Sequence, residues 1–184
     1  MTADATKPDP APAKTDPAAT AHLTTFPGPT PIDSDPSIAA HVHTYHTSRC
    51  LASPLYAFLL SPESHGLRLT HASKGLVVFR LPLAACHLNT AGSLHGSVSA
   101  TIVDWAGGLA IAAWDLRAQT GVSVDIHVTY VSGAKLGQEV EIEGRVDRVG
   151  GSLAFTNVGV YKVKDGERGE AVALGRHTKF VRTK

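Results

Sequence analysis

The chain has 184 residues, of which 17 are lysine or arginine and 16 are aspartate or glutamate, giving a formal net charge of +1. A balance this close to neutral argues against a nucleic-acid partner and against a polybasic membrane anchor. The two cysteines, Cys50 and Cys86, form no Cys-x-x-Cys pair, so neither a disulfide framework nor a structural zinc site is expected.

Residues 1–36 differ in composition from the rest of the chain. They contain eight of the 11 prolines and carry a net charge of −3, from two lysines and five aspartates. A segment with so few large apolar residues cannot bury enough surface to offset its ordering entropy. We therefore predict a disordered tail over 1–36 and one domain of ordinary size in the 148 residues that follow.

Residues 37–66 are expected to form an N-terminal helical extension and a linker. Apolar residues recur at helical spacing over 37–60, and Pro54 must break or restart the helix. The sequence leaves open whether this extension covers a pocket or only packs on a sheet. From residue 67 to 83 the pattern changes to two short strands, joined by a turn at Lys74-Gly75.

The remaining sequence predicts one long helix followed by four strands. A stripe of apolar residues at steps of three and four runs through residues 95–118, while Gly107-Gly108 and several alanines make another side of this helix unusually small. Alternating apolar and polar residues then fill four successive segments separated by short turns. Because helices and strands do not alternate, we predict an α+β domain over 67–184, in which an antiparallel sheet curls around the central helix.

A dense polar cluster leads into the long helix. It has the pattern Asn-x(5)-His-Gly-x(7)-Asp, and three further motifs follow it. The segments are Asn89 to Gly96 with Asp104, Gly121-Val-Ser-Val-Asp-Ile-His-Val-Thr-Tyr130, Ala134-Lys-Leu-Gly137 and Gly175-Arg-His-Thr-Lys179. From about Leu67 to Arg182 the chain resembles the hotdog-fold acyl-CoA thioesterases of the phenylacetate-pathway type, in the 4-hydroxybenzoyl-CoA thioesterase superfamily. The resemblance implies a hotdog fold and hydrolysis of acyl-CoA to a free acid and CoA, with no metal or cofactor.

Two groups in this motif have the chemical properties that thioester hydrolysis requires. The first N–H groups of a helix lack intrahelical partners and lie at the positive end of its dipole, so the Gly96 N–H can stabilise a developing oxyanion. Asp104, a carboxylate on an otherwise apolar helix, is the candidate base that activates water. Eight residues of helix separate the two by about 12 Å and roughly 80° of rotation. One chain cannot bring both to one carbonyl, so we predict a homodimer with sites shared between antiparallel helices, which pairs again into a dimer of dimers.

The resemblance assigns roles to three further residues. Asn89 matches the residue that holds the loop and the thioester carbonyl, His95 matches one that orients the thioester, and Ser123 matches a hydroxyl that positions the water. Each has a structural alternative. Ser123 could be an ordinary strand hydroxyl and His95 a histidine that only starts the helix, just as Asp104 could be a capped, buried carboxylate.

Basic residues concentrate near the carboxyl end of the chain. Residues 145–184 hold nine basic and four acidic side chains. Most of these fit a solvated sheet face, but their number also suits one cluster of phosphates on a ligand. We expect the phosphates of CoA to meet an exposed patch drawn from Arg148, Arg176, His177 and Lys179.

Three histidines near the amino end could suggest a metal site. His41, His43 and His46 are instead expected to be solvated on a surface helix. The amino terminus lacks the features of a transit peptide, and no run approaches 18 apolar residues, so we expect a cytoplasmic protein that does not insert into membranes.

Two other functions remain as alternatives to hydrolysis. One is a hotdog enoyl-CoA hydratase or acyl-carrier-protein dehydratase, although the loop pattern of those enzymes is not found here. The other is a non-catalytic acyl-CoA-binding or sensing protein, which has no use for a base such as Asp104.

Overall fold

The computed structural model describes residues 33–181, so residues 1–32 of the predicted tail lie outside the described residues. The helices are α1 (Pro36–Tyr45), α2 (Pro54–Leu60), α3 (Pro62–His65) and α4 (Gly96–Asp115). The strands are β1 (Arg68–Ser73), β2 (Leu76–Pro82), β3 (Val122–Tyr130), β4 (Glu139–Val149), β5 (Leu153–Lys164) and β6 (Glu167–Phe180). A π-helical turn (His46–Cys50) extends α1, and a 3-10 turn (Ala85–His87) precedes the loop into α4.

The six strands form one antiparallel sheet that wraps around α4. Their order is β1-β2-β4-β5-β6-β3, which leaves β1 and β3 at the two edges. The hairpin predicted over residues 67–83 turns at Lys74-Gly75, between β1 and β2. The α+β hotdog arrangement predicted from the sequence is therefore confirmed.

Close contact between α4 and the sheet explains the small residues on this helix. A Cβ atom at Gly107 would lie 2.7 Å from Oγ1 of Thr156 and 3.0 Å from Nδ1 of His177. A Cβ atom at Gly144 of β4 would lie 2.6 Å from the carbonyl oxygen of Ala106. Any larger residue at either glycine would push the helix away from the sheet.

The apolar stripe of α4 fills the main core. Ile102, Trp105 and Leu109 are almost completely buried there. The helix is also long and apolar enough to cross a membrane, but most of it is buried inside the fold, as in the core helix of other folds. Packing against the sheet is therefore sufficient to explain its composition.

The N-terminal extension packs across α4 and beside β1. The Asp35 carboxylate caps α1, and the Asp35 N–H donates to the carbonyl of Ala72 in β1 at 2.8 Å. The helical path ends after Cys50 and restarts at Pro54, as predicted. The predicted boundary at residues 66–67 falls between α3 and β1.

One histidine of this extension does not lie where the sequence analysis placed it. His46 is 2% exposed, so its predicted solvation is wrong, whereas His43 is exposed as expected. His46 follows the buried Val42 by one helical turn and therefore faces the core. There its Nδ1 accepts a hydrogen bond of 3.1 Å from Nε1 of Trp105, which ties the extension to α4.

The burial of His46 makes stability depend on pH. Burial lowers the pKa of His46 to about 4, below the value of about 6.5 expected in an unfolded chain. The unfolded chain binds more protons between these values, so the free energy of unfolding decreases as the pH falls from 7 towards 4. We expect His46 to account for a loss of about 2 kcal/mol between pH 7 and pH 5, measured by urea unfolding.

His46→Asn provides the matched control for this measurement. The asparagine amide oxygen can replace Nδ1 as the acceptor for Trp105, but it does not titrate. The variant should therefore lose about 2 kcal/mol less stability than the wild type over the same pH step. Other buried histidines act equally in both proteins, so an equal loss in both would contradict the assignment to His46.

Candidate active site

A cavity of about 320 Å³ lies between the extension, α4 and the start of β3. Tyr45, Arg49 and Tyr56 of the extension line one side, and Trp105 and Leu109 of α4 line another. The extension therefore forms a wall of this cavity, which answers the question that the sequence left open.

Asp104 lies in the cavity wall with its side chain 32% exposed. Its Oδ2 accepts a hydrogen bond of 2.6 Å from the Tyr56 hydroxyl, and its Oδ1 accepts one of 3.3 Å from the Ser123 hydroxyl. Nζ of Lys179 lies 3.7 Å from the same Oδ1. Two donors and a neighbouring cation fix the orientation of this carboxylate, as a general base requires.

His177 continues the network behind Ser123. Nε2 of His177 lies 2.9 Å from Oγ of Ser123, and because the serine hydroxyl donates to Asp104, this ring nitrogen carries the hydrogen. Burial, and then the charge of Lys179, lower the pKa of His177 to about 4. The ring is therefore neutral near pH 7 and acts as a donor that holds Ser123.

The loop before α4 is organised by Asn89. Its side-chain oxygen accepts hydrogen bonds from the N–H groups of Ala91 at 3.0 Å and Ser93 at 3.1 Å. This arrangement closes the turn and leaves the amide nitrogen as the donor end of the side chain. Asn89 therefore joins the two ends of this turn, and its role towards a thioester stays a prediction.

His95 and Gly96 form the start of α4. His95 is the N-cap, and its Nδ1 accepts a hydrogen bond of 3.1 Å from the N–H of Ser97. Gly96 is the first residue of the helix, and the Tyr130 hydroxyl donates to its carbonyl oxygen at 3.1 Å. A Cβ atom at Gly96 would lie 3.3 Å from the Tyr130 ring, so glycine allows this ring to approach the helix start closely.

The predicted site residues thus separate into two groups within one chain. Asp104, Ser123 and Lys179 meet at the cavity, with His177 behind Ser123, whereas Asn89, His95 and Gly96 surround the helix start. Because Gly96 and Asp104 lie in one continuous helix, about 12 Å separates them along its axis. One chain therefore supplies the Asp104 carboxylate at one place and the helix N-terminus at another.

The four basic residues assigned to the CoA phosphates also separate. His177 is 1% exposed and Lys179 is 7% exposed, so the expectation that they belong to an exposed patch is wrong. Side chains alternate along β6, which turns these two towards α4 and turns Arg176 to the other face of the sheet. Arg176 and Arg148 are exposed, and both line a second cavity of about 690 Å³ on that face.

Several other basic residues near the carboxyl end are occupied by ion pairs. Arg168 binds Glu141 at 2.7 Å and Glu143 at 2.6 Å, and Arg145 binds Glu143 at 3.2 Å. Lys162 pairs with Glu170. Three of the nine basic residues in 145–184 are therefore held in ion pairs within the sheet, so the surplus available to a ligand is smaller than the sequence suggests.

Sequence reasoning missed Tyr56. No motif marks this residue, because an aromatic side chain in a short amphipathic segment is typical of packing. Tyr45 and Arg49 are one helical turn apart and so share a face, which is a signal that could have indicated a common surface. No sequence pattern identifies what that surface contacts.

One cluster among the described residues has the composition of a metal site. His65, Cys86 and His87 place ligand atoms within 4.8 Å of one another. However, Nδ1 of His87 accepts from the N–H of Ala84 at 2.9 Å, and its Nε2 lies 2.8 Å from the carbonyl oxygen of Leu59. Both nitrogens of this ring already serve the backbone, so the cluster fits a structural role.

Known proteins are similar to this chain in sequence and in fold. The family model described as "Thioesterase superfamily" matches residues 91–168. Human acyl-coenzyme A thioesterase 13 is 38% identical over 115 residues, which cover 62% of this chain and 79% of the human protein. The chain belongs to the thioesterase superfamily. The family resemblance carried by the Asn89 to Asp104 motif is thereby confirmed.

Solved structures agree with the thioesterase assignment. Zebrafish thioesterase superfamily member 2 superposes with a TM-score of 0.64 at 33% identity, over 75% of this thioesterase and 93% of the zebrafish chain. A Streptococcus mutans protein bound to acetyl-CoA superposes with a TM-score of 0.55 at 26% identity, over 64% of this thioesterase and 90% of the bacterial chain.

Proposed function

We propose that the protein hydrolyses acyl-CoA thioesters to a free carboxylic acid and CoA, with Asp104 as the general base. The observation that carries this proposal is the Asp104 carboxylate, which is oriented by Tyr56 and Ser123 in a cavity of a thioesterase-superfamily chain. The human relative named acyl-coenzyme A thioesterase and the bacterial structure with acetyl-CoA support CoA as the acyl carrier.

The proposed reaction begins with a water molecule beside Asp104 and Ser123. The carboxylate takes a proton as the water oxygen attacks the thioester carbonyl carbon. Negative charge moves to the carbonyl oxygen, where the Gly96 N–H of a second copy of the chain donates a hydrogen bond. Asn89 and His95 beside that glycine orient the thioester.

Collapse of the tetrahedral intermediate completes the proposed reaction. The C–S bond breaks and CoA leaves as a thiolate, which needs little help from an acid because thiols ionise with a pKa of about 8.5. The free acid departs, and Asp104 returns its proton to solvent. In this scheme Gly96, Asn89 and His95 come from the second copy of the chain. The other residues come from the chain that contains Asp104.

Edge strand β3 supports the proposed second copy. Val122 is 66% exposed, Val124 58%, Ile126 39% and Tyr130 59%. An edge strand with this much exposed apolar surface is suited to pairing with another strand. Antiparallel pairing of two β3 strands sets two α4 helices side by side in opposite directions, which favours a homodimer with shared sites. Assembly into a dimer of dimers and residence in the cytoplasm stay predictions from the sequence.

Asp104→Asn tests the proposed base. The amide keeps the shape of the side chain but cannot accept a proton, so kcat should fall by about 10²- to 10⁴-fold. The measurement is thiol release from short-chain, long-chain and aryl acyl-CoAs. Asp115→Asn, at the far end of the same helix, is the control and should keep wild-type activity.

Full activity of Asp104→Asn would contradict the mechanism. Tight acyl-CoA binding without turnover by the wild type would favour a binding protein.

Val124→Lys tests the shared site. A lysine on the edge strand should prevent strand pairing, so the variant should sediment as a monomer. Because the monomer lacks the Gly96 N–H of the second copy, its kcat should be at least about 100-fold lower. Leu136→Lys, on an exposed loop, is the matched control and should leave assembly and activity unchanged. A fully active monomer would overturn the shared site.

Arg148→Ala combined with Arg176→Ala tests the binding of the CoA phosphates. Each lost charge-assisted hydrogen bond weakens binding by about 1.5 to 3 kcal/mol, so KM for acyl-CoA should rise at least about tenfold. A thioester of the same acyl group with N-acetylcysteamine lacks the phosphates and should show an unchanged KM. Equal effects on both substrates, or no effect on either, would exclude the arginines from this role.

A further inference from the structure

Tyr56 contacts Asp104 from outside the hotdog domain, and no step of the proposed reaction involves its hydroxyl. It lies in α2 of the extension, outside the residues 91–168 matched by the family model. Its hydroxyl nevertheless donates to Oδ2 of Asp104 at 2.6 Å, across 48 residues of sequence. This is the shorter of the two hydrogen bonds that Asp104 accepts from side-chain hydroxyls, because the bond from Ser123 is 3.3 Å long.

The groups around Asp104 divide between its two oxygens. Oδ2 receives Tyr56, whereas Oδ1 faces Ser123 at 3.3 Å, His177 at 3.5 Å and Lys179 at 3.7 Å. A hydrogen bond to Oδ2 therefore opposes rotation of the carboxylate and keeps Oδ1 directed at the serine. The remaining lone pairs stay available for water.

Towards Asp104, the Tyr56 hydroxyl acts as a hydrogen-bond donor near neutral pH. Burial, and then its hydrogen bond to Asp104 and the charge of that carboxylate, raise the pKa of Tyr56 above its usual value of about 10. The hydroxyl therefore keeps its hydrogen throughout the neutral range. Its bond to a charged acceptor belongs to the stronger class of protein hydrogen bonds.

We infer that Tyr56 is a positioning residue for the base, so that the N-terminal extension completes the active site. The inference rests on the proposed function, because it assigns Asp104 the role of base. It places a contribution to catalysis in a helix that precedes the hotdog sheet.

Loss of the Tyr56 hydroxyl should lower kcat and leave KM nearly unchanged. Without this donor the Asp104 carboxylate can rotate away from Ser123, so it is misplaced for activating water, while the groups proposed to bind the substrate stay in place. The other titratable or charged groups that face Asp104 are His177 and Lys179 of β6 and Cys50 of the π-helical turn, and Arg49 lines the same cavity. All of them are retained in the variants used to test this inference.

The experiment compares Tyr56→Phe with Tyr45→Phe in the full chain. Both variants remove one phenolic hydroxyl from the same cavity, but the Tyr45 hydroxyl lies 3.3 Å from Oγ1 of Thr120 and has no bond to Asp104. For Tyr56→Phe we expect kcat to fall by about tenfold, because one hydrogen bond to a charged group is lost. KM should change little, and kcat of Tyr45→Phe should fall by less than that of Tyr56→Phe.

A second variant separates the hydroxyl from the packing of the ring. Tyr56→Leu lacks both, so its kcat should fall as in Tyr56→Phe and its Tm should be lower as well. A kcat of Tyr56→Phe equal to that of the wild type would overturn the inference, as would equal losses of kcat in Tyr56→Phe and Tyr45→Phe. Full activity of Asp104→Asn would instead overturn the proposed function, so the two failures are distinguishable.

Discussion

The continuous helix α4 is the constraint on which the rest of the site depends. It fixes the spacing between Gly96 and Asp104, and no side-chain rotation can shorten a distance of about 12 Å. The oxyanion donor and the base of the proposed reaction must therefore come from different helices. The sheet and the N-terminal extension bury most of the rest of α4 and leave both the helix start and the Asp104 cavity accessible.

Helix packing and the polar network around Asp104 are also linked. His177 sits beneath α4 with its Nδ1 close to Gly107, where a larger residue would collide with it. The same histidine donates to Ser123, which donates to Asp104. A change at Gly107 would therefore disturb the base by way of the sheet, although the glycine touches no substrate. The small residues of α4 are therefore needed for the close packing of helix and sheet and also for the arrangement of the groups around Asp104.

The sequence predicted the elements that repeat or that carry a motif. Alternation identified the strands of the sheet, the apolar stripe identified α4, and the pattern ending at Asp104 led to the family. Predictions failed where the outcome depended on which face of an element meets another. His46 proved to be buried because α1 packs on α4, and Lys179 because the alternation of β6 turns it inward. Tyr56 reaches Asp104 by a tertiary contact that no local pattern encodes.

Edge strand β3 carries Ser123 and also the exposed apolar residues proposed to pair with a second chain. One hydroxyl that contacts the proposed base and the surface proposed to bring in the oxyanion donor therefore lie on the same nine-residue strand. A newly synthesised chain that has not yet met its partner would hold two incomplete half-sites and could not consume the thioester pool of the cell. In this fold, assembly would itself act as the switch that turns hydrolysis on.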